Sequence, residues 1–501
     1  MIMERVAGTL RKSMAVKSYP ANFGYGFATI QNPVWTVSRI LLATGGRFVT
    51  GDPQARFRSI STDSRTIEPG DLFLALTGEH HDGSKFVKDA VDRGASGIVI
   101  SQLPDPLPPV PVICVPDTLK ALGDLSAYRR SQLKNVKVMA ITGSSGKTTV
   151  KEMTAAIMSC KYKILKTEGN FNNLIGLPLS LLPIDYRHDF AILEMGMNRP
   201  GEIARMTEIA DPDIACINNI QEAHIEGLHD LDGVARAKGE LFAGLKAWGK
   251  LVVNMDDAKI RKLARKYKQE KITFGRHRRA FVRATHIAAT GEEGVRFTLH
   301  LGSRSRRLKM RCLGSHNVMN ALAAAALAYS VGVRMKTIVK GLEKFVSYDK
   351  RSQLQKLANG LRVINDAYNA NPSSMEAALV TLSQLRGEDK AVAIVGDMLE
   401  MGEQSGAAHR RIGSRVAGLN IDYLYAYGPY AREIVKAARK SGMPEERAVH
   451  FGAKEEIVEA ICGLQEKKVL GPGDWVLVKG SRGMKMEEIL EGLQARLGAG
   501  E

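Results

Sequence analysis

The chain has 501 residues, 44% hydrophobic and 25% charged, which is enough apolar mass for about three folded domains and excludes a largely disordered protein. Its five cysteines (Cys114, Cys160, Cys216, Cys312, Cys462) are odd in number and lack CxxC spacing, which argues against disulfides or a zinc site and for a reducing cytosol. A formal net charge of +18 calls for an anionic partner but does not choose between a small molecule and a polynucleotide.

Residues 1–34 show little periodicity and read as a disordered leader or an upstream start, with no apolar core or cleavage site of a targeting peptide. From Trp35 to 116 the pattern is that of a small α/β unit, carried by STDSRTIEPGDLFLAL and GASGIVIS, with the Pro-rich segment Pro104 to Pro111 separating its last elements. A second unit, 117–342, contains VMAITGSSGKTT (Val138 to Thr149), an apolar strand emptying into a Gly/Ser turn and then a helix. Gly143 and Gly146 let backbone N–H groups close on an anion, Ser144 and Ser145 lie between them, Lys147 can neutralise a phosphate, and the Thr148 hydroxyl can ligate Mg²⁺. The helix from about Thr149 adds the positive end of its dipole. The spacing is the short form GxxGKTT, since a glycine five residues before Gly146 would fall on Ile141.

The same unit alternates apolar runs (FAILEMG, DIACINNI, GKLVVNMDD) with helical patterns, which predicts a parallel sheet with ligands at the carboxyl ends of its strands. Glu194 ends one such strand, where a carboxylate can share a metal with Thr148. GNFNNLIGLPLSLL places Asn170, Asn172 and Asn173 before an apolar run, for turns or for polar contacts. His224 follows another strand, structural or ligating with equal weight. Lys238, on a helical pattern, reads by spacing as surface charge. VRFTLHLGSRSRRLKM predicts a hairpin around Gly302 with arginines on its wet side. No apolar run reaches the ~20 residues of a membrane span; the longest, Ala321 to Val333, reads as a buried alanine-rich helix, and the protein is expected in the cytoplasm.

A third unit, 343–501, repeats the alternation in LRVINDAYN, AVAIVGDM, DYLYAYG and DWVLVKGSRG, a second Rossmann-like sheet without a GxGxxG dinucleotide motif. Its first strand ends at Asp366 and turns through NANP into a helix whose Ser373 and Glu376 have capping-box spacing.

TGSSGKTT, GNFNNLIGLPLSLL, EMGMNRPGEI, NNIQEAHIEG, AKGELF, GSHNVMNALAA, INDAYNANPSSM and VGDMLEMGE, in this order, resemble the Mur ligases from about Trp35 to the C-terminus. Within that family NxNNxIGxPL and DAYNANPxSM point to the branch that adds D-alanyl-D-alanine to UDP-N-acetylmuramoyl-tripeptide. The resemblance implies a monomer with three domains: a UDP-sugar domain, a central P-loop ATPase with a parallel sheet, and a Rossmann-like C-terminal domain. It implies ATP and Mg²⁺, with Lys147 and Thr148 on phosphate and metal, Glu194 and His224 as further metal residues, and Lys238 as the lysine that some members carbamylate. It places Ser64 and Arg65 at the nucleotide sugar, Asn172 and Asn173 at the substrate, and Asn320 near adenine. Arg351 is expected at the γ-phosphate and Asp366 and Tyr368 at ribose and adenine, with Asn369 and Asn371 shaping the site. Two departures stand out: Lys350 precedes Arg351 where relatives have glycine, and Ser84 stands where histidine is common.

Two rivals predict other strings. Folylpolyglutamate synthase, another carboxylate-amine ligase, usually carries Gly-Lys-Gly-Ser in its phosphate loop and does not account for NFNNLIGLPL. A basic P-loop nucleic-acid-binding protein calls for aromatic interleaving, and aromatics are only 6% of residues, so nucleic acid is not the expected partner.

Overall fold

A computed structural model describes residues 34–78, 81–223, 225–347 and 350–499. The expected leader and His224 therefore lie outside the described residues, except for Val34. The chain divides into two compact units: one runs to Asn135 and takes in 181–187, and the other holds 136–180 and 188–501.

The first unit carries a five-stranded sheet in the order Arg47–Thr50, Val112–Cys114, Gly97–Ile100, Leu72–Leu74, Ile60–Ser61, antiparallel only at the first pair. Leu72–Leu74 and Gly97–Ile100 are buried along their whole length, which is why they read as continuous apolar runs. The helix Thr118–Ser131 groups with this compact unit. The reason is packing: the Trp35 ring lies 6.1 Å from Tyr128 and 4.6 Å from the Arg129 guanidinium, and the Thr118 hydroxyl accepts from Thr77 N–H at 3.0 Å.

The second unit contains two sheets of more than two strands, and with the five-stranded sheet of the first unit they give the mixed α/β, largely parallel organisation that the alternation predicts. Its larger sheet has nine strands, ordered Ile164–Lys166, Phe190–Glu194, Lys137–Thr142, Ile214–Ile217, Lys250–Asn254, Glu270–Gly275, Val282–Ala289, Val295–Leu301, Arg304–Met310. The first seven run parallel and the last two add antiparallel. Ile141 registers with Glu194, so the carboxylate emerges beside the phosphate loop. The final pair is the expected hairpin: Leu301 faces Arg304 across a turn at Gly302 (φ +60°), and Arg304, Arg306 and Arg307 are exposed. The helix His316–Ser330 is buried through its alanines and packs against the phosphate-loop helix Lys147–Met158. Small side chains let the two backbones approach. No helix among the described residues is long and apolar enough to cross a membrane.

The smaller sheet has six strands, ordered Gln353–Lys356, Arg362–Asp366, Trp475–Lys479, Ala391–Gly396, Tyr423–Tyr427, Ala448–Phe451, parallel except at the first pair. Along Ala391–Gly396, Ala391, Ala393 and Val395 enter one core while Val392 and Ile394 enter the core on the opposite face. That two-sided burial follows from the period-2 geometry of a strand covered by helices on both faces. The helix Pro372–Arg386 starts differently from the expectation at Ser373 and Glu376. Asn371 is its N-cap, accepting from Ser374 N–H at 2.9 Å, while the Ser374 hydroxyl accepts from Asn371 N–H at 3.0 Å. Pro372 at the first helical position fixes the start two residues earlier, and Glu376 pairs with Arg415 instead.

Candidate active site

The strand Lys137–Thr142 ends at the loop Gly143 to Gly146, and the helix Lys147–Met158 begins at once. Gly146 has φ +74°, and a Cβ there would stand 2.4 Å from Asn320 Oδ1 and 2.8 Å from Asn218 Nδ2, so both conformation and space require glycine. The loop is lashed by side chains of the neighbouring strand end. Asn219 Oδ1 accepts from Ser145 N–H (2.9 Å), Asn218 Nδ2 donates to the Ser145 carbonyl (3.0 Å), and the Ser145 hydroxyl donates to Gln221 Oε1 (2.7 Å). The Ser144 hydroxyl donates to the Gln221 carbonyl at 2.9 Å. Asn218 also donates to Asn320 Oδ1 at 3.0 Å, and Asn320 donates to Asn317 at 2.9 Å, tying the loop to the alanine-rich helix.

Lys147 donates to the Gly143 carbonyl at 2.9 Å, folding its ammonium over the loop. Burial pushes its pKa down; Glu194 opposes that shift and the charge of Arg351 adds to it. Thr149 follows on the helix and is half-buried. The Thr148 hydroxyl donates to Glu194 Oε2 and Asn172 Nδ2 donates to Glu194 Oε1, both at 2.7 Å. Glu194 is 2% exposed and its own N–H donates to Thr167 Oγ1 at 3.0 Å. A buried carboxylate beside a hydroxyl is a hard oxygen donor set that suits Mg²⁺. Asn173 does turn work, accepting from Gly176 N–H at 2.8 Å, and Asn170 offers its carbonyl to Asn172 N–H at 2.7 Å.

Lys238 corrects the surface reading. It lies on the helix Leu231–Ala243 at 0% exposure, and its Nζ has no hydrogen-bond partner among the described residues. The face that carries it also carries Val234, Ala235, Leu241 and Phe242, so the helix turns its lysine inward with its apolar residues. Burial, reinforced by Lys147, holds its pKa well below the usual lysine range.

The C-terminal sheet contributes from the other side. Asn371 Nδ2 reaches the Ser144 carbonyl at 3.4 Å. The Arg351 guanidinium lies 3.9 Å from the Tyr368 ring centroid, and its Nε is buried without a partner among the described residues. Lys350 and Ser352, on either side, have φ +56° and +49°. Lys350 thus keeps the left-handed backbone that glycine would adopt freely, and its Nζ is 3.0 Å from Glu487 Oε1. Asp366 accepts from Ser352 N–H at 2.9 Å and from Lys479 Nζ at 2.6 Å; Lys479 also donates to the Asn369 carbonyl at 2.9 Å. Asn369 Oδ1 accepts from Ala370 N–H at 2.9 Å. Here Asp366 organises the strand end.

Sequence reasoning missed Asn218, Asn219, Gln221, Lys479 and Glu487. The first three stand immediately after the strand that neighbours the phosphate-loop strand, a positional signal. Lys479 ends a strand and Glu487 begins the helix Glu487–Leu497, and each becomes visible only when segments distant in sequence meet. In the first unit Ser64 is buried and opens a short 3-10 turn capped by Asp63, which also pairs with Arg65 at 2.9 Å. Ser84 hydrogen-bonds Asp82 at 2.6 Å.

The chain matches the Mur ligase middle domain over 141–328, the Mur ligase glutamate ligase domain over 350–482, and the catalytic domain of the Mur ligase family over 56–130. It is 36% identical over 441 residues to the UDP-N-acetylmuramoyl-tripeptide–D-alanyl-D-alanine ligase of Bacillus subtilis, covering 88% of this chain and 94% of that one. The crystal structure of MurF from Acinetobacter baumannii superposes with a TM-score of 0.86 at 35% identity, covering 93% of this chain and all of that one. MurF ligase from Thermotoga maritima in complex with ADP gives a TM-score of 0.79 at 26% identity, over 88% of this chain and 98% of that one.

Proposed function

Because this chain belongs to the Mur ligase family, we propose that its site couples ATP cleavage to amide synthesis, joining D-alanyl-D-alanine to the free carboxylate of UDP-N-acetylmuramoyl-tripeptide in the cytoplasm. The product is the pentapeptide precursor of peptidoglycan. The observation that carries this reading is the meeting of a phosphate loop and a buried Thr148–Glu194 pair with Asn371 from the C-terminal sheet. The folylpolyglutamate synthase alternative is not favoured, since curated relatives matched along nearly the whole chain carry the D-alanyl-D-alanine ligase name.

A carboxylate is a poor acyl donor, so the tripeptide carboxylate first attacks the γ-phosphorus of ATP, releasing ADP and forming an acyl phosphate. The dipeptide amine then attacks the acyl carbon, and inorganic phosphate leaves. Lys147 and Arg351 offset the charge that gathers on the transferred phosphoryl group, and the N–H groups of Gly146 to Thr149 orient the phosphates, those of Ser144 and Ser145 being donated to Asn219. Thr148 and Glu194 would hold Mg²⁺, which when bound supplies further charge neutralisation across the phosphates. Asn320 and Tyr368 line the nucleotide, and Ser64, Arg65, Asn172 and Asn173 serve the sugar and peptide. Lys238 is proposed as a carbamylated residue. The support is a buried amine without a hydrogen-bond partner among the described residues whose neutral form burial favours; its nitrogen can attack carbon dioxide, forming an N–C bond and releasing a proton to give a carbamate whose oxygens carry the negative charge.

The test is ADP release with ATP, Mg²⁺ and UDP-N-acetylmuramoyl-tripeptide, with and without D-alanyl-D-alanine, and the product weighed by mass spectrometry. The expected result is dipeptide-dependent ADP release and a nucleotide sugar heavier by one dipeptide less water. ADP release without that product would reject the reading.

A further inference from the structure

Far from the phosphate loop, the second unit carries a surface that the ligase chemistry does not use. Trp248 is 76% exposed, the most exposed large apolar side chain among the described residues, in the loop between the helix Leu231–Ala243 and the strand Lys250–Asn254. The next crossover loop, between the helix Ala258–Ala264 and the strand Glu270–Gly275, contributes Arg265, Lys266 and Lys268, all exposed, with Lys271 just beyond. Gln269 fastens the two loops together, its Nε2 donating to the carbonyls of Leu245 (3.2 Å) and Lys246 (3.3 Å). The Tyr267 ring packs edge-on against Phe242 with centroids 6.3 Å apart, so the basic loop is anchored from beneath.

The charge here is not cancelled locally. Lys246 engages Asp211 and Asp213, and Lys250 engages Glu270, which uses up the nearby carboxylates. Arg265, Lys266, Lys268 and Lys271 have no acidic partner among the described residues. Both loops precede parallel strands, so they lie at the amino ends of the sheet, opposite the carboxyl ends where Gly143 to Lys147 and Glu194 stand.

We propose that Trp248 with Arg265, Lys266, Lys268 and Lys271 forms a peripheral docking surface for an anionic lipid bilayer. An indole has an apolar body and one N–H, which suits the boundary between headgroups and acyl chains; beside it Arg265, Lys266 and Lys268, together with Lys271, whose ammonium donates only to the carbonyls of Tyr267 (2.6 Å) and Gln269 (3.1 Å), carry positive charge without a carboxylate partner to meet anionic headgroups. A single protruding aromatic favours a bilayer over single-stranded nucleic acid, whose grip uses a series of stacking aromatics. Docking by this edge leaves the phosphate-loop edge of the sheet free.

The chain's own tryptophans make the test direct. Of its three, Trp35 and Trp475 are 3% and 2% exposed, so quenching by bromine-labelled lipid reports on Trp248. Full-length protein is titrated with vesicles of phosphatidylcholine alone or with 30 mol% phosphatidylglycerol, and bound protein is measured by sedimentation. The expected result is binding and quenching with the anionic vesicles only, weakened about 10-fold or more by the triple variant Arg265→Glu, Lys266→Glu, Lys268→Glu. Trp248→Ala is expected to weaken binding about 3-fold or more and to remove the quenching, with ligase turnover unchanged in both variants. Equal binding of wild type and triple variant, no binding to anionic vesicles, or binding without quenching of Trp248 would each overturn the proposal. So would a strong preference for single-stranded nucleic acid at equal phosphate concentration.

Discussion

The phosphate loop and the segment from Lys350 to Asn371 meet at Ser144, yet they are held in place by opposite means. Around the loop nearly every polar group is paired: Ser144, Ser145, Thr148 and Glu194 share hydrogen bonds of 2.7 to 3.1 Å with neighbours on adjacent strands. The segment at Lys350 has left-handed backbone on both sides of Arg351, a guanidinium with an unpaired buried Nε, and an aromatic ring as its main support. The difference separates a preorganised platform from an adjustable arm. The platform can bind phosphate without reorganising; the arm keeps an unsatisfied donor in reserve for charge that arrives with the nucleotide.

The largest effect is expected at the platform. Lys147→Ala should lower kcat by about 10³-fold or more while the fold remains, because among the described residues the ammonium makes one hydrogen bond, to the Gly143 carbonyl of the loop. Steady-state ADP release together with a thermal melt checks both halves, and retained turnover would remove this lysine from the mechanism. Arg351→Ala should cost about 10²- to 10³-fold in kcat with little change in Tm. A large fall in Tm would mean that its stacking on Tyr368 is structural.

The legibility of the sequence follows the same division. Platform residues could be read because a strand, a glycine turn and a helix are contiguous in sequence, and register alone then brings Glu194 alongside Ile141. Arg351, Asp366 and Tyr368 take their roles only from family resemblance, and Lys479 and Glu487 from nothing in the sequence, because Lys479 reaches Asp366 across 113 residues and Glu487 reaches Lys350 across 137. Lys238 shows the limit of periodicity. A lysine at one helical position looks like surface charge until the helix is seen to turn that face inward.

That buried lysine gives a prediction of intermediate size. Its folded-state pKa lies well below its unfolded value. Between those two values the unfolded chain binds a proton that the folded chain does not, so stability rises with pH through that window and the burial penalty is greatest below it. Lys238→Met should therefore flatten the pH dependence of urea unfolding and raise stability at neutral pH in buffers free of carbon dioxide, while ligase activity falls. An unchanged slope would show that the amine is not buried as a neutral group.

The smallest effect, and the sharpest test of the arm, lies at Lys350. A non-glycine residue at φ +56° costs about 1–2 kcal/mol of local strain. The partly buried pair with Glu487 offsets part of that cost. Lys350→Ala keeps the strain and loses the pair, so it should lower stability by about 1 kcal/mol and kcat a few-fold as Arg351 loses its orientation. Lys350→Gly loses the pair but relieves the strain, at the expense of greater freedom in the unfolded chain. It should fall close to wild type in stability and above the alanine variant in kcat. If glycine proves worse than alanine in both urea unfolding and turnover, the left-handed backbone is not what aims Arg351, and the ion pair to Glu487 carries that role instead.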